Sequence, residues 1–313
     1  MAGEGAPILN PDTAGIARAA ELLRAGRLVA LPTETVYGLA ARADSEAAVA
    51  AIYRAKGRPD FNPLIVHIGL REQADALAEL DERAETLAAR FWPGPLTLVL
   101  PARAGSGIAP AVTAGLPTLA LRMPDHPVIR RVLREVDLPL AAPSANRSGR
   151  VSPTTAGHVA QSLGTALAAV LDGGACARGV ESTIVALRPG GVWQLLRPGP
   201  IAEAEIAALL GPPHPLETLG IEAPGQMARH YSPGKPVRLD AVRAAPDEYG
   251  IGFGAVAGHC SLSEEGDLAL AAARLYACLH QAAASDKPRI AVAPIPREGI
   301  GAAINDRLKR AAA

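Results

Sequence analysis

The chain has 313 residues, 49% hydrophobic and 20% charged, which is globular composition at a length that usually divides into two domains. Its 31 basic and 31 acidic residues cancel, which excludes a global field drawing the protein to nucleic acid or a membrane and leaves any polyanion to a local site. Three scattered cysteines, Cys176, Cys260 and Cys278, exclude a disulfide framework or a CxxC metal site and fit a reducing cytoplasm.

In chain order, "PDTAGIARAAELLRAG" reads as a helix with Asp12 as N-cap and Gly26 as its stop, followed by a strand "RLVAL". A helix "SEAAVAAIYRAKG" and a strand "PLIVHI" come next, then one or two helices through 71–91, strands "LTLVLP" and "TLALRMP", and a helix near 126–135. A strand "LPLAAPS", a helix "TTAGHVAQSL" and strands near 168–172, 182–187 and 192–197 complete an α/β pattern with a mixed sheet. Gly211 to Pro236 carries six prolines and four glycines in 26 residues, which is linker composition. Beyond it, strands "VRLDA", "IGFGAVAG" and "RIAVAPI" alternate with a helix at 266–284 and a final helix "GIGAAINDRLKRA". The helix at 266–284 is interrupted by Arg274, His280 and Gln281 and falls short of the ~20 apolar residues of a membrane span. The start "MAGEGAPILNPD" has no signal-peptide pattern. The division expected is 1–202 for a catalytic domain, 203–235 for a linker and 236–313 for a small Rossmann-like domain.

There is no GxxxxGK[ST], HExxH or GxSxG motif, and "GIGAAI" and "GFGAVAG" are only partial glycine-rich loops. Instead, polar clusters stand at the ends of expected strands and helices: "PTETVYG", "KGRPDFNPLIVH", "TLALRMP", "PSANRSGRVSPT" and "GVESTIV". Such loops are where α/β folds place ligands. Each cluster has a structural reading too. Thr33 and Thr35 can satisfy a turn, Lys56 and Arg58 can complement a helix C-terminus, and His67 can be a core histidine. Ser144, Asn146, Ser148 and Ser152 can be a polar loop. Taken together they offer a point charge, a planar fork and neutral donors, the mixture that phosphates and carboxylates require.

The motifs "LPTETVYGLA", "KGRPDFNPLIVHI", "APSANRSGRVSPT" and "ESTIV" strongly resemble the YrdC-like threonylcarbamoyl-AMP synthase family, and "HYSPGKP" resembles the linker of its two-domain members. The resemblance covers roughly residues 10–236. It implies a twisted open mixed α/β sheet with a concave ligand groove, followed by a small C-terminal Rossmann-like domain. It also implies synthesis of L-threonylcarbamoyladenylate from L-threonine, bicarbonate or carbon dioxide, and ATP, with release of pyrophosphate. That is the first step of tRNA threonylcarbamoyladenosine modification; the product would pass to the tRNA threonylcarbamoyl-transferase machinery, with no stable direct tRNA binding and no membrane partner.

By the same resemblance, Thr35, His67, Arg122, the backbone at Ala142 and Ser182 belong to an L-threonine site, with Arg122 as the fork for its carboxylate. Arg58, Asn62, Thr118, Ser144, Ser152, Arg197 and Tyr231 belong to an ATP site. Lys56 and Arg58 would meet phosphate or carbamate charge and are expected to be partly exposed in an open groove. Tyr231 is expected to close over the nucleotide. Magnesium would arrive on the triphosphate, with no metal site of the protein's own. The alternative is an RNA-binding module with a basic groove, against which the neutral charge and 3% aromatic content speak.

Overall fold

The structure, a computed structural model, describes residues 5–215 and 220–313. Among them, ten strands form one mixed sheet: β1 (Ile8–Leu9), β2 (Val29–Leu31), β3 (Gly38–Arg42), β4 (Ile65–His67), β5 (Leu96–Pro101), β6 (Thr118–Arg122), β7 (Leu140–Ala141), β8 (Ala169–Leu171), β9 (Thr183–Leu187) and β10 (Trp193–Arg197). Their spatial order is β1-β8-β2-β3-β7-β4-β6-β5-β9-β10. The Asp12 carboxylate caps the first helix by accepting from Gly15 N at 2.8 Å.

Strand alternation gives the centre of the sheet two unlike faces. Leu64 and Val66, Leu96, Leu98 and Leu100, Leu119 and Leu121, and Val185 and Leu187 share one apolar core with the helices Glu46–Lys56 and Glu82–Phe91. The register places the intervening residues on the other face, pairing Ile65 with Ala120, His67 with Arg122, and Thr97 with both Arg122 and Ile184. A bulge between Leu195 and Arg197 breaks the alternation of β10, so that Arg197 pairs with Ile184 and joins this second, polar face.

Four further strands, β11 (Val237–Arg238), β12 (Glu248–Gly252), β13 (Cys260–Ser261) and β14 (Arg289–Val292), form a parallel sheet of order β11-β14-β12-β13. The helices Leu268–Ala284 and Gly301–Ala312 pack against it and each other. Its core is continuous with the large domain, since Val36, Val151 and Val180 lie in the same apolar cluster as Leu275, Tyr276 and Ile304. Close approach is permitted by Gly179 at φ +68, where a Cβ would stand 2.3 Å from the Ala272 carbonyl oxygen.

Several boundaries differ from the sequence reading for local reasons. "GLAAR" is a strand, β3, antiparallel to β2, so "PTETVY" is the loop of a hairpin whose last pair is Leu31 with Gly38. "VRLDA" is strand only through Arg238, and Asp240 at φ 55 turns the chain out of the sheet. The strand expected at "IGFGAVAG" lies earlier, at Glu248–Gly252, because Gly254 at φ 55 opens a turn closed by Phe253 and Val256. Glu203–Leu210, at the start of the segment assigned to a linker, is a helix whose Ile206 is buried in the main core. Residues 216–219 of that segment lie outside the described residues.

Candidate functional site

The polar face of the sheet, the hairpin loop and the chain after residue 220 enclose a cavity. Its walls include Thr33, Arg58, His67, Arg122 and Ala142 on the sheet side, Glu181 and Ser182 just before β9, Arg197 at the end of β10, and Pro224, His230 and Tyr231 from the segment crossing above. Free volume between them is about 40 Å³, room for a water or so and far below the ~300–1,000 Å³ of a small-molecule pocket. The crossing segment fills the rest: Ala223 packs with Ile65, Val99, Ala120 and Ile184, and Tyr231 is 1% exposed.

Cations are held here without anions. Lys56, the last residue of its helix, donates through Nζ to the carbonyls of Ser144 and of Asn146, the latter at 2.6 Å. Arg58 donates to the Asn62 side-chain oxygen at 2.6 Å and the Pro63 carbonyl at 2.8 Å. Arg197 donates to the Ser182 carbonyl at 2.9 Å and the Pro224 carbonyl at 3.1 Å. All three are buried. Among the described residues none of the three has a carboxylate within salt-bridge distance. Burial pulls the Lys56 ammonium well below the ordinary lysine range, with the Arg58 charge adding to it, and pulls Arg58 down to about 10. The partly exposed placement expected for Lys56 and Arg58 is therefore corrected. The crossing segment removes water from a groove that would otherwise be open.

Two buried carboxylates are committed, Glu181 in the cavity wall and Glu34 outside it behind Arg122. Glu34 in the hairpin loop pairs with Arg122 at 2.6 Å and accepts from Asp125 N at 3.1 Å. Arg122 thus meets an internal carboxylate as well as any external one. Glu181 accepts from Ser152 Oγ at 2.6 Å, Tyr276 OH at 2.8 Å and Arg307 Nε at 2.8 Å. Neither carboxylate, nor His230, stood among the residues chosen from sequence. Glu34 and Glu181 do lie inside the motifs, but nothing local distinguishes a buried carboxylate from a surface one.

His67 is 2% exposed, and burial together with the Arg122 charge pulls its imidazole down to about 3, so it is neutral at pH 7. Its Nδ1 lies 3.3 Å from the Ile65 carbonyl; an N–H donated there leaves Nε2 as an acceptor. Burial likewise pulls His230 down to about 3. Histidines whose folded values lie below the ordinary 6.5 bind protons more readily when unfolded, so stability is full above about pH 6.5 and is lost as pH falls toward the folded values. The melting temperature is accordingly expected to fall between pH 7 and 5, with up to about 1.4 kcal/mol per pH unit from each such histidine. His67→Asn should flatten that slope; a wild-type melting temperature constant over this range would contradict neutral burial.

Of the residues chosen from sequence, Arg58, His67, Arg122, Ala142, Ser144, Ser182, Arg197 and Tyr231 meet at the cavity. Lys56, Asn62 and Ser152 stand behind the wall, each bonded to a group described above. Thr35 also stands behind it, 2.8 Å from the Thr33 hydroxyl, which accepts from Thr35 N and Val36 N and closes the loop as a turn. Thr118 begins β6 opposite Pro101, at the end of the strand away from Arg122, and does not line the cavity. Tyr231 has left-handed backbone at φ 61 and a buried hydroxyl without a partner, held by an edge contact to His230 and a stack on Tyr276.

Residues 21–199 match the Sua5/YciO/YrdC family model, described as "Telomere recombination", and residues 201–313 match the "Threonylcarbamoyl-AMP synthase, C-terminal domain". The threonylcarbamoyl-AMP synthase of Bacillus subtilis is 41% identical, over 97% of this chain and 94% of that one. That of Pyrococcus abyssi is 48% identical over 70% of this chain and 66% of its own. The crystal structure of P. abyssi Sua5 complexed with L-threonine superposes with a TM-score of 0.89 at 37% identity, covering 97% of each chain. With both domains matched, and with the wall residues drawn from the motifs that first suggested it, the chain belongs to the YrdC-like Sua5 family.

Proposed function

We infer that the protein is an L-threonylcarbamoyladenylate synthase, which uses L-threonine and ATP. The observation that carries this reading is the set of buried cations, Lys56, Arg58 and Arg197, bonded only to neutral oxygens. Desolvated charge of that kind is costly unless an anion compensates it, and a polyphosphate does so. The curated relatives that share this architecture are threonylcarbamoyl-AMP synthases.

In the chemistry proposed, bicarbonate and the threonine amine give a carbamate with loss of water. A carbamate oxygen attacks the α-phosphorus, and the bond to the β-phosphate oxygen breaks to release pyrophosphate. The attacking group belongs to the substrate, so the protein's part is positioning and charge neutralisation. Arg122 takes the threonine carboxylate, neutral His67 accepts from the ammonium or hydroxyl, and Ser182 and the Ala142 backbone complete that end. Lys56, Arg58 and Arg197 take the phosphates, with Asn62, Ser144 and Ser152 around the nucleotide and Thr118, beyond the cavity at the far end of β6, within reach only of a nucleotide that extends past it. A cavity of about 40 Å³ requires Tyr231 and its segment to shift as ATP enters. Return of the segment would keep water from a mixed anhydride. Magnesium would arrive on the triphosphate, held by its oxygens and water.

We place the reaction in the cytoplasm, upstream of the transferase that delivers the threonylcarbamoyl group to tRNA. Among the described residues no helix is long and apolar enough to cross a membrane. The reading as an RNA-binding module is disfavoured by the zero net charge and the 3% aromatic content. Purified protein with ATP and bicarbonate should release pyrophosphate only when L-threonine is added. Release that ignores threonine, or none at all, would overturn the assignment.

A further inference from the structure

Arg307 comes from the last helix of the small domain, yet it is 0% exposed and bonded to a wall of the catalytic cavity. Its Nε donates to Glu181 Oε2 at 2.8 Å and one terminal nitrogen donates to Asp306 at 2.8 Å, while the other terminal nitrogen is buried without a partner. Tyr276, from the other helix of that domain, donates to the same Glu181 oxygen at 2.8 Å. Ser152, from the large domain, holds the opposite oxygen at 2.6 Å. Glu181 itself lies two residues after Gly179, whose missing side chain lets the helix Leu268–Ala284 approach.

Adhesion between the domains does not call for this charge. Val36, Val151 and Val180 already join the two cores, and a buried ion pair holds little better than apolar residues of the same volume. The charge matters to the groove instead. A wall carboxylate without a partner of its own would draw on the cations around it: Arg197, which lines the same cavity and donates to the adjacent Ser182 at 2.9 Å, and Lys56, whose charged form Glu181 favours.

We infer that the small domain acts on the reaction through Arg307, a positioning residue that neutralises and orients Glu181 and thereby limits how far Glu181 compensates Arg197 and Lys56, leaving their charge for the polyphosphate of ATP. Burial pushes the Glu181 carboxyl up, and the charges of Arg307 and Arg197 more than offset it, holding it at about 2. Glu181 therefore keeps its charge, and Arg307 is its salt-bridge partner. The inference rests on ATP being a substrate.

Calorimetric titration of ATP and, separately, L-threonine into the full chain tests it. Arg307→Met is expected to weaken ATP by at least about tenfold, a usual size for coupling between domains, and to leave threonine within about threefold. Arg307→Lys should recover part of the loss. The double variant Arg307→Met/Glu181→Gln, which removes both charges, should bind ATP within about threefold of wild type. Equal weakening of both ligands, or no recovery in the double variant, would overturn the inference. If Arg307→Met does not fold, Tyr276→Phe and Arg307→Lys carry the same comparison, and an unchanged ratio of ATP to threonine affinity in both would overturn it. Wild-type protein that binds ATP without threonine-dependent pyrophosphate release would break the proposed function and leave this comparison standing.

Discussion

Lys56→Gln is expected to abolish nearly all synthase turnover while leaving the fold as stable as before. The glutamine amide keeps a neutral donor facing the Ser144 and Asn146 carbonyls, one bond short of the ammonium, and what disappears is a buried cation with no carboxylate partner. Losing such a charge removes a desolvation cost from the folded state. If Lys56 meets the phosphates as proposed, its loss removes one preorganised cation, for which about 10²–10³ in kcat/KM is a reasonable scale. Thermal melts should show an unchanged or higher melting temperature beside that fall in pyrophosphate release. A proportionate loss of both would mean that Lys56 only completes the end of its helix.

Arg122 calls for a different design, because it has an internal partner. Arg122→Ala would leave Glu34 buried without its counter-charge, and breaking a pair that way costs about 3–5 kcal/mol of stability. The fall in threonine affinity would then be confounded with damage to the hairpin loop. In Arg122→Gln/Glu34→Gln both charges go together, and stability is expected to return to within about 1 kcal/mol of wild type. Threonine affinity is expected to stay about 2–4 kcal/mol weaker, since a carboxylate still lacks its charge-assisted fork. ATP affinity should change little. Calorimetry showing normal threonine binding by the double variant would remove Arg122 from the threonine site.

The burial of these groups makes the cavity both a site and a stability liability. Uncompensated cations and the neutral His67 lie under one segment, and the segment's own Tyr231 sits in left-handed backbone with a buried, unpartnered hydroxyl. Binding of polyanionic ATP would relieve part of that cost, consistent with a segment that rests against the groove without being fixed there.

Sequence alone determined most of the strand and helix order, though not β3 or the helix Glu203–Leu210, because period-two runs such as "LTLVLP" and "TLALR" and a capped helix such as Thr13–Arg24 are local patterns with local causes. It also determined the ingredients of the site, since the residues that line the cavity on the sheet side stand inside contiguous motifs. Tertiary structure decided what those ingredients face. The bulge that turns Arg197 onto the polar face depends on pairing with β9. The hydrogen bonds that place Thr35 behind Thr33 depend on how the β2–β3 hairpin closes. The cover over Arg58 comes from the far segment, whose Met227 touches Asn62, the partner of Arg58, across 165 residues. The bond from Arg307 to Glu181 spans 126 residues and two domains. No pattern of neighbours along the chain encodes such a contact, because it is fixed only when two separately formed cores meet.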